Sequence, residues 1–156
     1  MKYFTLDEFD SPDHKGSGVN MDSNFLELLN NAREIAGIPF KITSGYRTAE
    51  HNKKVGGVSN SSHLNGLAAD ISIGSGQERY VVLNALIKAG FKRLGIAKTF
   101  IHCDTDNTAK PNSVWTYWYS RKHVMEELIT GYVAFRLLEF LILKSFWPAS
   151  AIDEII

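Results

Sequence analysis

The stretch Ser61-Ser62-His63-Leu64-Asn65-Gly66-Leu67-Ala68-Ala69-Asp70 sets a histidine ahead of an aspartate, with mostly small or apolar residues between them. A second histidine, His102, follows in the apolar segment Phe100-Ile101-His102-Cys103-Asp104. Two imidazoles and one carboxylate form a ligand set that zinc accepts, and three protein ligands leave a fourth position for water. The sequence therefore predicts a catalytic metal site made by His63, Asp70 and His102, with one zinc ion per chain.

The segments around this stretch predict alternating helices and short strands. Apolar residues at helical spacing predict one helix that begins at Asp22 or Ser23 and a second that begins at Ser75, ended by Gly37 and Gly90 respectively. A short helix is predicted after Thr48. Alternating or apolar runs predict strands at 39–44, 67–73, 91–97, 99–104 and 113–118, with a hairpin between the third and the fourth.

The composition indicates a soluble globular domain. The chain has 156 residues, 44% of them apolar and 22% charged, which is enough to form a hydrophobic core. The 17 basic residues balance the 17 acidic ones, so there is no electrostatic footprint for nucleic acid. The N-terminal ten residues lack the apolar region of a signal peptide. We therefore expect synthesis in the cytoplasm.

The single cysteine, Cys103, excludes an intrachain disulfide. Its position beside His102 raises the alternative of a soft metal ligand. Neighbouring residues of a strand point to opposite faces, however, so we expect Cys103 to be buried and to face away from the site.

The chain is expected to divide into a site-bearing domain, residues 1–117, and an apolar helical extension, residues 118–156. Residues 123–147 contain no proline and one glycine and are rich in aliphatic side chains, interrupted by charges. Three interpretations stay open for this helix: packing on the domain or on a second copy, binding at a membrane surface, or spanning a membrane.

Three further residues are candidates for chemistry near the metal. Asp104 lies two positions after His102, so both side chains face the same way and Asp104 could act as the general base; the alternative is a strand-end aspartate. Arg47, at a predicted strand end, could clamp a substrate carboxylate or stabilise an oxyanion, or it could form a structural ion pair. Ser61, with its neighbour, could orient His63 or contact substrate.

The ordered motifs Ser44-Gly45-Tyr46-Arg47, His51-Asn52, Val55-Gly56-Gly57, Ser61-x-His63-x-x-Gly66-x-Ala68-x-Asp70 and Ile101-His102-x-Asp104 resemble the M15 family of zinc D-Ala-D-Ala carboxypeptidases and murein endopeptidases. The resemblance covers about residues 3–117 and is nearest to the small single-domain type of bacteriophages and bacteria. It implies an α+β fold whose small antiparallel sheet carries the zinc, with ligands at His63, Asp70 and His102 and an arginine at Arg47.

The resemblance also implies a function. The expected substrates are peptidoglycan stem peptides, cut by a D,D-carboxypeptidase, a murein endopeptidase or a phage endolysin that acts on the cell wall after release. One departure matters: many relatives carry an acidic base three residues before the last ligand, where this chain has Thr99. The competing hypothesis is a catalytically silent zinc-bearing module that binds cell wall or protein, since the same scaffold serves as a signalling domain in hedgehog proteins.

Overall fold

The computed structural model describes residues 1–108 and 111–117, which contain three α-helices. Helix α1 spans Ser23–Ala36, α2 spans Ala49–Lys54 and α3 spans Gly76–Ala89. Their N-caps are Asp22, Thr48 and Ser75, each of which accepts a hydrogen bond from a backbone N–H of the first turn. The three helices predicted from the sequence are therefore confirmed; Thr48 caps α2 as predicted, and of the two candidates for α1 the cap is Asp22.

Five strands form one sheet in the order β1-β2-β4-β3-β5. Their bounds are Ile42–Ser44 for β1, Ala68–Ser72 for β2, Arg93–Ile96 for β3, Phe100–Asp104 for β4 and Ser113–Thr116 for β5. The α+β class is confirmed. Strands β1, β2, β4 and β3 pair antiparallel, as expected, and β5 pairs parallel to β3, so the sheet as a whole is mixed.

The parallel pairing of β5 follows from the order of the inner strands. Strand β4 already has β2 on one side and its hairpin partner β3 on the other, so the next strand can pair only at an outer edge. The chain reverses direction after Asp104, and β5 then runs antiparallel to β4 beside β3, with Trp115 opposite Gly95.

The core lies between one face of the sheet and helices α1 and α3. Alternate strand residues supply the sheet side of this core, because successive side chains of a strand point to opposite faces. They pack against apolar side chains of the two helices in a single buried cluster that includes Phe25, Leu29, Ile71, Val82, Leu86, Leu94, Ile101 and Cys103. Cys103 is fully buried there, as expected, and burial raises the pKa of its thiol well above the usual value.

The predicted helical extension, residues 118–156, and the helix expected within residues 123–147 lie outside the described residues. The division of the chain near residue 117 and the three interpretations of that helix therefore stay predictions. Among the residues that the structure describes, no helix is long and apolar enough to cross a membrane.

Candidate metal centre

Three buried side chains meet on the face of the sheet opposite the core. Asp70 of β2 lies directly across from His102 of β4, and both are 6% exposed. His63 reaches them from a short 3-10 helix, Ser62–Asn65. Within the described residues these three form the one group suited to hold a metal ion.

The facing atoms of the three ligands form a small triangle. His63 Nε2 lies 3.2 Å from His102 Nδ1 and 3.4 Å from Asp70 Oδ1, and the last two atoms are 2.9 Å apart. Ligands about 2.0–2.1 Å from a tetrahedral zinc ion lie roughly 3.3–3.4 Å from one another. The spacing therefore fits zinc with small adjustments.

In each imidazole, the ring nitrogen that points away from the triangle carries the proton. The other ring nitrogen, which faces the triangle, is then an acceptor. His63 Nδ1 lies 2.7 Å from the carbonyl oxygen of Gly45, which can only accept, so Nδ1 carries the proton. His102 Nε2 lies 3.1 Å from Asp104 Oδ2 and likewise donates. With both imidazoles neutral, two lone pairs and the Asp70 carboxylate converge with no donor among them. A cation in the triangle resolves this conflict, so the donor set fits the metal that the sequence predicts.

The charges of the site follow the same logic in the absence of metal. Burial opposes the charged form of Asp70, but hydrogen bonds from His102 and His63 outweigh it and hold the pKa of this carboxyl well below its usual value. Burial likewise opposes a charged His102, but its bonds to Asp104 and Asp70 prevail and raise the pKa of the imidazole. The carboxylates of Asp70 and Asp104 therefore favour a positive charge at the position between them.

Asp104 lies behind His102 rather than beside the metal position. Its Oδ2 accepts from the outer nitrogen of His102, and its Oδ1 accepts from Arg93 Nε at 2.7 Å and from the backbone N–H of Asp106 at 3.0 Å. The side chain is 2% exposed. The predicted shared orientation of His102 and Asp104 is present, but these contacts are those of a group that orients the imidazole. Its role as a general base stays a prediction that this placement does not favour.

Arg47 holds the other ligand carboxylate. Its Nη2 donates to Asp70 Oδ2 at 2.9 Å, and its Nε donates to Ser44 Oγ at 2.8 Å. The backbone N–H of Arg47 also donates to the carbonyl oxygen of His63. The ion pair that the sequence left as an alternative is therefore present. The guanidinium also lines the cleft above the site, so a substrate contact stays a prediction.

The 3-10 helix that carries His63 is anchored at both ends. Ser62 Oγ donates to Asp106 Oδ2 at 3.1 Å, and Ser61 lines the cleft as a buried residue, where its predicted contact with substrate stays untested. Gly66 ends the helix with φ 68° and its carbonyl accepts from the N–H of Asp22. A Cβ at this glycine would lie 2.1 Å from a backbone oxygen, so only glycine fits.

The site opens into a cleft of about 440 Å³. Its lining includes residues of the loop from Val55 to Ser61, with Val55 and Val58 exposed. It also includes two aromatic residues that the sequence did not place there, Trp115 and Tyr117, which lie at the end of the described residues. Their strand-like alternation predicted β5, but it carried no signal for a position beside the metal ligands.

The position three residues before His102 provides no base. Thr99 is exposed, and it does not line the cleft. Among the described residues that line the cleft, Asp104 is the one carboxylate besides Asp70. The departure from the M15 pattern noted in the sequence therefore means that no carboxylate at position 99 reaches the site.

Three buried candidate ligands of this type, oriented by contacts to their outer atoms and open to a cleft, match the arrangement expected of a metal-dependent catalytic centre. The sequence model of the Peptidase M15 family matches residues 2–104, more than half of the chain and all three ligands. The chain therefore belongs to the Peptidase M15 family, whose members are zinc-dependent, and the resemblance seen in the sequence is confirmed. Among curated proteins, none matches the chain.

Proposed function

We propose that this protein is a zinc metallopeptidase that hydrolyses peptide bonds in peptidoglycan stem peptides. The observation that carries the proposal is the convergence of three acceptor atoms, from His63, Asp70 and His102, on the floor of an open cleft. Such a site would hold one zinc ion per chain. When bound, zinc supplies an activated water and polarises the carbonyl of the scissile bond.

The residues behind the ligands keep the site in a single arrangement. Asp104 holds the proton of His102 on its outer nitrogen, and the carbonyl of Gly45 does the same for His63. Arg47 binds the Asp70 oxygen that faces away from the triangle. When both imidazoles are neutral, each ligand therefore presents a lone pair to the metal position, which reduces the reorganisation needed on binding.

The choice of substrate rests on family membership and on the groups that line the cleft. Arg47 places a positive charge beside the ligands, where it could bind a peptide carboxylate, and Ser61 adds a buried hydroxyl to the same cleft. Peptidoglycan stem peptides carry such carboxylates. The finer alternatives, a D,D-carboxypeptidase, a murein endopeptidase and an endolysin of phage origin, differ in the bond they cut and in where the protein is released.

A zinc-bearing module that binds the cell wall without cutting it is the second candidate. The observation in its favour is the placement of Asp104, which faces His102 and Arg93 while Thr99 leaves the usual base position without a carboxylate. The two candidates share the metal and the cleft. They differ in turnover alone.

Mass spectrometry of defined stem peptides after digestion, with and without a chelator, tests the proposal. We expect the purified protein to carry about one zinc per chain and to release a fragment that identifies the bond cut. His63→Ala should abolish release and metal content, while His14→Ala, an exposed histidine outside the ligand set, should change neither. Binding of stem peptides by zinc-loaded protein without any fragment would favour the module, and full cleavage by His63→Ala would overturn both candidates.

A further inference from the structure

A row of residues runs across the sheet through the metal centre. The register places Asp70 opposite His102, His102 opposite Gly95 and Gly95 opposite Trp115. Side chains in such a row project from the same face. Asp70 and His102 are the candidate ligands, and Gly95 has no side chain. The row therefore leaves an open space over Gly95, between the candidate ligands and β5.

The aromatic side chains of β5 fill this space. A Cβ at position 95 would lie 2.6 Å from Tyr117 Cε2 and 2.8 Å from two indole atoms of Trp115. The centre of the indole ring lies 5.6 Å from that of His102, and the Tyr117 ring lies 6.5 Å from it. Glycine at position 95 thus lets both rings lie across β3 and reach the ligand histidine.

Contacts on both sides hold the two rings in place. The Arg93 guanidinium lies 5.1 Å from the centre of the Trp115 ring, while its Nε binds Asp104. The centre of the Phe100 ring lies 5.4 Å from that of Tyr117. Tyr117 nevertheless stays 48% exposed, so its surface is open to the cleft. Held aromatic rings with an open face are suited to contact a ligand at low entropic cost.

Two further apolar side chains line the same cleft. Val55 and Val58 are 51% and 66% exposed on the segment that follows α2. A peptide residue that enters the cleft therefore meets carbon from this segment as well as from the rings, and burial of an apolar side chain there is favourable. Trp115 and Tyr117 lie beyond residue 104, where the match to the Peptidase M15 family ends.

We propose that Trp115 and Tyr117, seated on Gly95, form an aromatic wall that contacts the apolar side chain of the substrate residue beside the scissile bond. The inference rests on the proposed function and deepens it. It makes the two aromatics substrate-binding residues that select alanine-type methyl groups over glycine. Gly95 is a positioning residue, since it acts through the rings and touches no substrate itself.

A cycle that combines protein and substrate changes tests this wall. A synthetic stem pentapeptide is compared with an analogue in which the alanine beside the cleaved bond is replaced by glycine. For the wild type we expect kcat/KM to fall about 5- to 10-fold on that replacement, because a buried methyl contact is lost. For Trp115→Ala we expect about a 10-fold loss on the alanine substrate, carried by KM, and almost none on the glycine analogue.

Matched variants separate the wall from a general structural effect. Val114→Ala changes the neighbouring residue on the opposite face of β5 and should leave kinetics and zinc content unchanged. Gly95→Ala should mimic Trp115→Ala, with unchanged zinc content and with a lost preference for alanine over glycine. Tyr117→Phe should keep that preference, because the ring surface is retained.

The outcomes of the cycle separate the aromatic wall from the proposed function. Absence of cleavage by the wild type would overturn the proposed function itself. Cleavage by the wild type with equal alanine preference in Trp115→Ala overturns the wall while leaving the peptidase intact. A loss in Trp115→Ala that appears only when the peptide carries its disaccharide also overturns it, because the rings would then contact the sugar.

Discussion

Strand β4 shows two faces of one sheet that differ in nearly every property. Ile101 and Cys103 are fully buried among apolar side chains on the core face. His102 and Asp104 are almost as buried, yet they lie in a network of charge-assisted hydrogen bonds on the other face. The contrast teaches that burial alone does not define the core. One face stabilises the fold through packing, whereas the other keeps polar groups buried for the sake of a ligand.

The largest effect is expected on the polar face, from His102→Ala. It removes one of three metal ligands and leaves Asp70 without one of its hydrogen-bond partners. Activity should fall about a thousand-fold or more, because metal-bound transition-state stabilisation amounts to several kcal/mol. Zinc content measured by elemental mass spectrometry should fall in parallel. A variant that keeps both zinc and turnover would remove His102 from the ligand set.

Ile101→Ala, one position earlier, should reverse this pattern. The side chain is fully buried in the core, so truncation leaves a cavity and should lower the free energy of unfolding by about 2–4 kcal/mol. Chemical denaturation measures this loss. Zinc content of the folded protein should stay near that of the wild type. A large loss of zinc from folded Ile101→Ala would show that the two faces are not independent.

Asp104→Asn tests whether Asp104 orients the His102 imidazole or acts as the general base. The two carboxylate oxygens of Asp104 accept hydrogen bonds from His102, Arg93 and the N–H of Asp106. An asparagine has only one acceptor oxygen, so the His102 ring loses its fixed orientation. Zinc affinity should fall about 10- to 100-fold, as for other groups that orient a ligand histidine. Competition with a chromogenic chelator measures it. Unchanged zinc affinity with turnover lost would instead assign Asp104 as the general base.

The smallest effect is expected for Cys103→Ala, which removes a sulfur from the core face. The free energy of unfolding should fall by about 1 kcal/mol or less, with zinc content and activity retained. Because burial raises the pKa of this thiol, the native protein should react slowly with an alkylating reagent at pH 8 and quickly once unfolded. Zinc loss in this variant would place the sulfur among the ligands after all.

The three candidate ligands could be picked out from the sequence because their signal is local. Alternation along β2 and β4 separates Asp70 and His102 from their apolar neighbours, and Asp22 and Ser75 are recognisable as helix caps. The sequence could not indicate that Asp104 binds the outer nitrogen of His102. Asp104 also binds Arg93, which β3 brings alongside and which local sequence patterns do not place there.

The position of Trp115 and Tyr117 beside the candidate site was not predictable for a related reason. That position depends on the parallel pairing of β5 with β3, which joins residues far apart in the chain. No periodicity within 113–117 specifies the strand to which this segment will pair, although the alternation correctly indicates a strand. Strand β1 is also shorter than the predicted 39–44, since it begins at Ile42, and its register with β2 shifts between Ile42 and Ser44.

The missing side chain at Gly95 also constrains how this protein can change over generations. A methyl group there collides with the rings of Trp115 and Tyr117, so its acceptance depends on which residues already occupy those two positions. The order of exchanges then matters: a larger residue at position 95 is accepted without displacing the rings only after those rings have become smaller. Substrate preference on this side of the cleft can therefore drift only through correlated substitutions, a form of epistasis between two strands that are distant in sequence.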